Sequence, residues 1–224
     1  MRKIIYTFDC YGTLIDWLGG TRKKLREIYP DIDREKIDEV IGYWGEADWR
    51  LVSQGYRPYR EILREGFEYA LEKTGLPYDS SIVSSLVESI KEWMPFPDTK
   101  ENLVKLSQVG ELGIISNTDR EFIEASIRNM GVEFKHVIVA EDIKIYKPNP
   151  EVFVKARELL GVVDDDVWIH ISAYPNYDVI PAKKAGVYTV LLDRYGLKEE
   201  GAGYADYVFI DFGELVEKIL EEVV

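Results

Sequence analysis

A chain of 224 residues, 46% hydrophobic and 31% charged, is long enough to bury the core of one medium domain, or of a core domain with a smaller insertion. Its formal net charge of −13 argues against nucleic acid and anionic membranes as partners, because both bind patches of lysine and arginine. No apolar run approaches the roughly 20 residues of a membrane-spanning helix, and the N-terminal residues lead into a strand instead of a secretory signal.

The cysteine count and the charged fraction indicate the cellular compartment and the source of the protein. One cysteine excludes an internal disulfide and a cysteine-rich metal site, which agrees with a reducing compartment, and we expect a cytoplasmic protein. The high charged fraction, together with very few glutamines, favours a heat-adapted, thermophilic source.

The first predicted element is a buried strand that begins at Ile4, contains β-branched and aromatic residues and is broken at Gly12. Asp9 falls where this strand gives way to a turn. Aspartate is a poor strand former and is costly to bury, so Asp9 is either a solvated loop acid or a group held at the mouth of a site.

The next roughly 75 residues are predicted to contain helices and no strand. The helices cover residues 21–28, 34–53, 59–74 and 80–93. Asp31 or Asp33 caps the second helix, and Asp79 or Ser80 caps the fourth. This helical block ends at the proline-rich segment 94–98, where the pattern changes.

From residue 98 onward, helices and strands alternate. Strands are predicted over residues 112–116, 136–140, 167–172, 188–192 and 207–210, and helices over residues 98–108, 121–129, 150–160, 178–185 and 212–223. Short apolar strands between helices are typical of a parallel sheet that is covered on both faces. The first strand belongs to the same sheet, although the helical block interrupts it.

Four chemically distinctive features come where strands end: Asp9, the pair Ser116-Asn117, Lys147 and Asp178. Because the carboxyl ends of parallel strands share one edge of the sheet, all four can converge on one point. Each has an ordinary structural explanation when it is taken singly, such as a surface lysine or a helix cap. Their joint order favours a site.

The order and spacing of these motifs resemble those of the haloacid dehalogenase-like hydrolase superfamily. The matching segments are Phe8-Asp9-Cys10-Tyr11-Gly12-Thr13-Leu14, Ile115-Ser116-Asn117, Tyr146-Lys147-Pro148-Asn149-Pro150 and residues 178–186. The resemblance covers essentially the whole chain. It implies an α/β fold with a doubly wound, Rossmann-like parallel sheet core at residues 1–15 and 94–224, and an inserted α-helical cap domain at residues 16–93.

The resemblance also implies a role for each matching residue. Asp9 is the nucleophile that forms a covalent ester, which water then hydrolyses. Lys147 holds Asp9 ionised and relieves its repulsion with Asp178, and Thr13 fixes the Asp9 rotamer. The groups expected to bind a substrate anion or its developing charge are Ser116, Asn117, the backbone amides of Tyr11 and Gly12, and Asn176.

Position 11 separates two kinds of chemistry. Phosphatases of the superfamily carry a second aspartate there, which protonates the leaving oxygen, whereas this chain has Tyr11, a weak acid with an ordinary pKa of about 10. An acid that supports Mg²⁺ in the phosphatases is replaced by Ala173. A halide leaves without a proton. With a tyrosine at this position, the chain resembles the L-2-haloacid dehalogenase branch, which works without a metal.

Three functions therefore stand open. The first is metal-independent, 2-haloacid dehalogenase-type hydrolysis of a small anionic substrate, without a cofactor and, as is common in that branch, by a homodimer. The second is a phosphatase of a small phosphorylated metabolite, with Mg²⁺ held by Asp9, Asp178 and the carbonyl of Tyr11. The third is a non-catalytic binding or regulatory protein in which Asp9 and Lys147 form a structural ion pair.

The chain departs from the dehalogenase branch at several positions. The branch has a cap arginine that receives the halide and the substrate carboxylate, and this residue aligns with or beside Gly45. A tyrosine aligns with Phe153, and a serine and an asparagine align with Ala173 and Pro175. Four cap arginines could reach the site instead, and each is otherwise a solvated helix-face charge: Arg50, Arg57, Arg60 and Arg64.

Other reactive side chains are predicted to be structural. Cys10 points away from Asp9 by strand alternation and packs in the core, and His136 and His170 pack or bond locally. Four aromatic residues of the cap either line an apolar substrate pocket or form the core of the cap: Trp44, Trp49, Tyr56 and Tyr59.

Overall fold

The computed structural model describes residues 2–223, with side chains described to residue 221. One sheet contains β1 (Ile4–Phe8), β2 (Glu111–Ser116), β3 (His136–Val139), β4 (Val167–Ser172), β5 (Tyr188–Leu192) and β6 (Tyr207–Phe209). The strand order is β3-β2-β1-β4-β5-β6, and every neighbouring pair is parallel. This is the doubly wound, Rossmann-like order, so the predicted fold class is confirmed.

Helices fill the connections between these strands. Between β1 and β2 lie α1 (Trp17–Ile28), α2 (Arg34–Val52), α3 (Tyr59–Thr74), α4 (Ser80–Glu88) and α5 (Thr99–Ser107). Between β2 and β4 lie α6 (Arg120–Met130), α7 (Ala140–Ile143) and α8 (Glu151–Leu160). The remaining helices are α9 (Ile180–Lys184), α10 (Lys198–Gly201) and α11 (Phe212–Val223).

The central position of β1 explains its continuous apolar sequence. Residues Ile5 to Phe8 are all buried, as expected for a parallel strand that is covered on both faces. Phe8 is in register with Ile114 of β2 on one side and with Ile171 of β4 on the other. The chain order reverses at β1, and open α/β sheets bind ligands in the crevice beyond the carboxyl ends of strands at such a point.

The helices between β1 and α5 have an aromatic core of their own. Trp44 of α2 stacks on Phe67 of α3 with ring centroids 4.6 Å apart, and it meets Trp17 of α1 edge to face at 5.0 Å. Gly66 of α3 permits this close approach, because a Cβ at that position would lie 2.8 Å from the Trp44 ring. The buried apolar residues of these helices form one continuous cluster with part of the sheet core, whereas other sheet residues, such as Ile5 and Ile115, belong to a second cluster.

Polar contacts attach these helices to the edge of the sheet. Asp119, immediately before α6, accepts hydrogen bonds from the backbone amides of Tyr59 and Arg60, both at 2.8 Å. A carboxylate from the sheet side thus caps α3, whose own N-cap residue, Pro58, makes no side-chain cap bond. These bonds place the first turn of α3 beside the carboxyl end of β2, from which α6 follows.

Most predicted element boundaries agree with the structure to within one or two residues, and the larger differences have local causes. α1 begins at Trp17 instead of residue 21, because the Asp16 carboxylate accepts a hydrogen bond from the Gly19 amide and caps the helix earlier. The helix predicted over residues 80–93 is α-helical only to Glu88 and continues as a 3₁₀ turn over Ser89–Glu92.

The segment after β4 also differs from its prediction. It becomes helical at Pro175, three residues before the predicted start, through a wide π-helical turn over Pro175–Val179. The short helices α7 and α10 were not predicted, because four residues are too few to show a helical period. Within residues 2–223, no helix has the length and apolar character needed to cross a membrane.

Candidate active site

The four predicted features converge beyond the carboxyl ends of β1, β2 and β4, where they border a cavity of about 220 Å³. The sheet side of the cavity is lined by Asp9, Tyr11, Ser116, Asn117, Lys147, Tyr174, Tyr177 and Asp178. The opposite side comes from the helical block and is lined by Trp17, Trp44, Gly45, Asp48, Tyr59 and Trp93. The site is thus a polar floor beneath a largely aromatic lid.

Lys147 lies between the two acidic groups of the floor. Its Nζ is 2.9 Å from Asp9 Oδ1, 2.6 Å from Asp178 Oδ1 and 2.9 Å from the carbonyl oxygen of Ile115, so all three N–H groups of the ammonium are used. The residue is 1% exposed. Burial lowers the pKa of Lys147, but the attraction of both carboxylates outweighs burial and holds this pKa above its ordinary value.

Asp9 is held in one rotamer and faces the cavity. Its Oδ2 accepts a hydrogen bond from Thr13 Oγ1 at 2.9 Å, and Thr13 Oγ1 in turn accepts one from the Ala173 amide at 3.0 Å. Burial raises the pKa of Asp9, and the Lys147 ammonium opposes that rise. The predicted contact between Thr13 and Asp9 is therefore present in the structure.

Asp178 differs from Asp9 in its partners. Its Oδ1 bonds both Lys147 and His170 Nε2, the latter at 2.9 Å, whereas its buried Oδ2 has no hydrogen-bond partner among the described residues. Burial would raise the pKa of Asp178, but Lys147 and His170 outweigh it and hold this pKa below its ordinary value. Oδ2 is thus an unpartnered acceptor on a residue that lines the cavity.

His170 was predicted only to pack or to bond locally, and the structure connects it to the site. Thr7 Oγ1 accepts a hydrogen bond from Trp168 Nε1 at 2.8 Å and lies 2.9 Å from His170 Nδ1. On the other side of the ring, His170 Nε2 lies 2.9 Å from Asp178 Oδ1, within hydrogen-bonding distance. A chain of three side chains therefore orients Asp178.

Several of the predicted substrate-binding groups are engaged elsewhere. The Asn117 amide lines the cavity but bonds the backbone of Lys147 twice, through Oδ1 and Nδ2, both at 2.8 Å. The Gly12 amide donates to the carbonyl of Ile15 at 2.8 Å, so it is not a free anion donor. Asn176 is exposed and donates to Glu200 at 3.1 Å, so the structure does not bring it to the cavity.

Ser116 and Tyr11 keep their places in the cavity wall. Ser116 Oγ is buried and has no hydrogen-bond partner within the described part of the chain. The Tyr11 hydroxyl accepts a hydrogen bond from Ser126 Oγ at 3.1 Å, and its ring meets Trp93 edge to face at 5.7 Å. Burial raises the pKa of Tyr11 far above its ordinary value, so its phenol is no acid at neutral pH.

The helical block supplies no arginine to the cavity. Each of the four predicted candidates makes its contact elsewhere: Arg50 lies over the Tyr69 ring, Arg57 pairs with Glu65, Arg60 pairs with Glu88 and Glu121, and Arg64 bonds Ser84. Gly45 does line the cavity, and a Cβ built there would meet no atom within 4 Å. Phe153 is buried behind the site, against His170.

Asp48 of α2 is the acidic group of the lid. Its Oδ1 accepts a hydrogen bond from the Tyr59 hydroxyl, and its Oδ2 accepts one from the Tyr177 hydroxyl, both at 3.0 Å. Burial raises the pKa of Asp48, and the two phenol donors counteract this rise. The sequence pattern drew attention to the aromatic residues of this helix and missed the aspartate among them.

The carboxylates present do not make a convincing magnesium site. Mg²⁺ takes about six oxygen ligands in near-octahedral geometry. The two carboxylates predicted to hold it, Asp9 and Asp178, each give one oxygen to Lys147, and Ala173 contributes no side-chain ligand. No group of three or more metal-binding acids, histidines or cysteines occurs among residues 2–221.

The close packing around Gly12 allows the geometry of the Asp9 loop to be tested. Gly12 has φ = +92°, and a Cβ there would lie 2.2 Å from the hydroxyl of Tyr174, which Trp17 holds by a hydrogen bond at 2.7 Å. Gly12→Ala is expected to lower the free energy of unfolding by about 2–4 kcal/mol, through backbone strain and overpacking. Chemical denaturation would measure this.

Gly75→Ala is the matched control for the Gly12 variant. Gly75 has φ = +69° at the end of α3, but a Cβ there has open space. It should therefore cost only the left-handed conformation, about 1–2 kcal/mol. Equal losses in the two variants would contradict the packing described for Gly12 and Tyr174.

Comparison with known proteins agrees with this geometry. A family model described as haloacid dehalogenase-like hydrolase matches residues 5–186, most of the chain. The chain therefore belongs to the haloacid dehalogenase-like hydrolase family, and the protein is a hydrolase of that family.

Individual relatives give the same picture. Haloacetate dehalogenase H-2 from Moraxella sp. (strain B) is 28% identical, over 91% of this chain and 92% of its own length. (S)-2-haloacid dehalogenase 4A from Burkholderia cepacia is 27% identical, over 84% of this chain and 82% of its own. A solved structure of L-2-haloacid dehalogenase from Xanthobacter autotrophicus, with chloropropionic acid covalently bound, superposes with a TM-score of 0.80 at 23% identity, over 98% of this chain and 99% of that one. That likeness shows a shared fold.

Proposed function

We propose that the protein hydrolyses a carbon–halogen bond of a small 2-haloacid-type substrate, without a metal, through a covalent ester on Asp9. The observation that carries the proposal is the setting of Asp9, which Lys147 and Thr13 orient toward a small cavity with a largely aromatic lid. The dehalogenase names of the relatives support it, as does the covalently bound chloropropionic acid in the Xanthobacter autotrophicus protein.

The first half of the reaction is a displacement at carbon. A carboxylate oxygen of Asp9 attacks the carbon that carries the halogen, the new C–O bond forms, and the halide leaves with the electron pair of the broken bond. No proton is needed at this step. Tyr11 fits such chemistry, because its phenol, with its raised pKa, could not protonate an alkoxide. Lys147 stabilises the charge of Asp9 before the attack.

The second half returns the enzyme to its starting state. Water attacks the carbonyl carbon of the Asp9 ester, the alcohol product leaves, and one proton is released to solvent along with the halide. Asp178 Oδ2 is a charged acceptor without a partner among the described residues, and it orients this water. The hydroxyl of Ser116, which has no partner among the described residues, donates to the substrate or to the oxyanion of the ester intermediate.

In this proposal, the chain has two domains with different roles in the reaction. Residues 1–15 and 94–224 act as a core domain that carries Asp9, Ser116, Lys147 and Asp178. Residues 16–93 act as a cap domain that closes the cavity with aromatic side chains and excludes water. A cytoplasmic location, a thermophilic source and a homodimer stay predictions from the sequence.

Halide release tests the proposed function. A panel of small 2-chloro and 2-bromo acids and their amides should yield halide and the 2-hydroxy product, at a rate that a strong chelator leaves unchanged. The same preparation should release no phosphate from p-nitrophenyl phosphate with Mg²⁺. Phosphate release that requires Mg²⁺ would favour a phosphatase. Absence of halide release across the whole panel would overturn the dehalogenase proposal.

A further inference from the structure

The charges around the cavity are unusual for a site that takes a carboxylate. Lys147 is the one cationic side chain among the described residues that line it. Its three N–H groups already reach Asp9, Asp178 and the Ile115 carbonyl, so none remains for a substrate. A substrate carboxylate in this cavity would be desolvated without a charged partner, which is costly.

The lid adds a negative group where such a substrate would need a positive one. Asp48 lines the cavity, and the hydroxyls of Tyr59 and Tyr177 donate to its two oxygens, so both oxygens are acceptors in this geometry. Each carboxylate oxygen has two lone pairs, so each retains one site for a further donor. Asp48 can therefore accept a further hydrogen bond from a substrate inside the cavity, and it offers no donor to an anion.

We infer that Asp48 determines the substrate class of this site by accepting a hydrogen bond from the substrate, so that the preferred substrates are 2-halocarboxamides instead of 2-halocarboxylates. This inference rests on the proposed function. An amide is neutral, and its –NH₂ group can donate a hydrogen bond to the remaining acceptor site of Asp48. Its carbonyl oxygen is an acceptor for the unpartnered hydroxyl of Ser116.

The rest of the cavity fits a small neutral molecule. Trp17, Trp44 and Trp93 line the cavity from the lid, and its volume of about 220 Å³ is small. Such walls bury a short carbon skeleton and leave polar recognition to a few groups. The chemistry at Asp9 is the same for both substrates, because an amide carbonyl, like a carboxylate, sits next to the carbon that loses the halide.

The test compares 2-chloropropionamide with 2-chloropropionate, by chloride release and by detection of 2-hydroxypropionamide with its amide intact. The wild-type protein should have a kcat/KM for the amide at least about tenfold higher than for the carboxylate. Asp48→Asn should lower kcat/KM for the amide by about tenfold, mainly through KM, because the charged acceptor is lost. Its thermal unfolding is compared with that of the wild type.

Two further variants keep the test independent of any folding defect at Asp48. Gly45→Arg places a cation beside the cavity at a helical position with open space, and it should raise kcat/KM for the carboxylate but not for the amide. Glu46→Gln is the matched control. It removes the neighbouring, exposed carboxylate of the same helix, which contacts Tyr69 outside the cavity, and it should leave the amide-to-carboxylate ratio unchanged.

The outcomes separate this inference from the proposed function. A wild-type preference for 2-chloropropionate, or an amide-to-carboxylate ratio that Asp48→Asn leaves unchanged, would overturn the role of Asp48 while the dehalogenase proposal stands. Chloride release from neither compound, nor from the rest of the haloacid and haloamide panel, would overturn both.

Discussion

Asp9→Asn is expected to lower turnover by about 10⁴-fold or more, the scale seen when the nucleophile of a covalent mechanism is removed. The amide oxygen of asparagine is a far weaker nucleophile than a carboxylate, and no other described side chain stands between Lys147 and Thr13 to replace it. The measurement is the initial rate of halide release, with mass spectrometry to verify that the asparagine has not deamidated to aspartate.

Asp193→Asn is the matched control for this variant. Asp193 is also a buried acid that follows the carboxyl end of a strand, but it accepts a hydrogen bond from the Leu197 amide at 2.6 Å and does not line the cavity. It should retain most of the activity. If Asp9→Asn kept more than about 1% of the wild-type rate, a mechanism through an Asp9 ester would be untenable.

Lys147→Met is expected to have the largest effect on stability. It would leave Asp9 and Asp178 buried beside each other without the ammonium between them, and an uncompensated buried charge costs about 3–5 kcal/mol. Turnover should also be lost, because Asp9 would take up a proton and cease to be a nucleophile. Denaturant unfolding gives the first quantity, and halide release gives the second.

Two further variants show whether the loss of stability in Lys147→Met comes from unpaired charge. Lys183→Met removes an exposed lysine that pairs with Asp206, and it should cost less than about 1 kcal/mol. Adding Asp9→Asn to Lys147→Met should restore part of the lost stability, because one of the two unpaired charges is then gone. If the double variant were no more stable than Lys147→Met, then lost packing, and not unpaired charge, would explain the effect.

The floor of the site could be predicted from the sequence because each residue is fixed by local chain features. Asp9 and Ser116 lie at the ends of predicted strands, and Lys147 lies in the connection that follows another, so the shared edge of a parallel sheet and the order of the motifs placed them together. The same reasoning failed for the amides of Asn117 and Gly12. Whether an amide is free or bonded to its own backbone depends on loop geometry that no spacing rule describes.

Other parts of the site needed three-dimensional information. The connection from Trp168 through Thr7 to His170 depends on the register of β1 with β4, in which Thr7 pairs with His170. A shift of one residue would point these side chains to the opposite face of the sheet. Asp48 depends on the rotation of α2 about its axis and on the position of Tyr177, two features that are far apart in sequence.

A single turnover in water labelled with heavy oxygen tests most directly whether hydrolysis proceeds through an ester on Asp9. With enzyme in excess over a halogenated substrate that it turns over, water attacks the ester carbonyl, so one heavy oxygen should enter the Asp9 side chain. The 2-hydroxy product should carry the original, light oxygen of Asp9. Mass spectrometry of the peptide that contains Asp9, and of the product, gives both quantities. A heavy oxygen found in the product of the first turnover, with an unlabelled Asp9, would mean direct attack by water and would contradict the covalent mechanism.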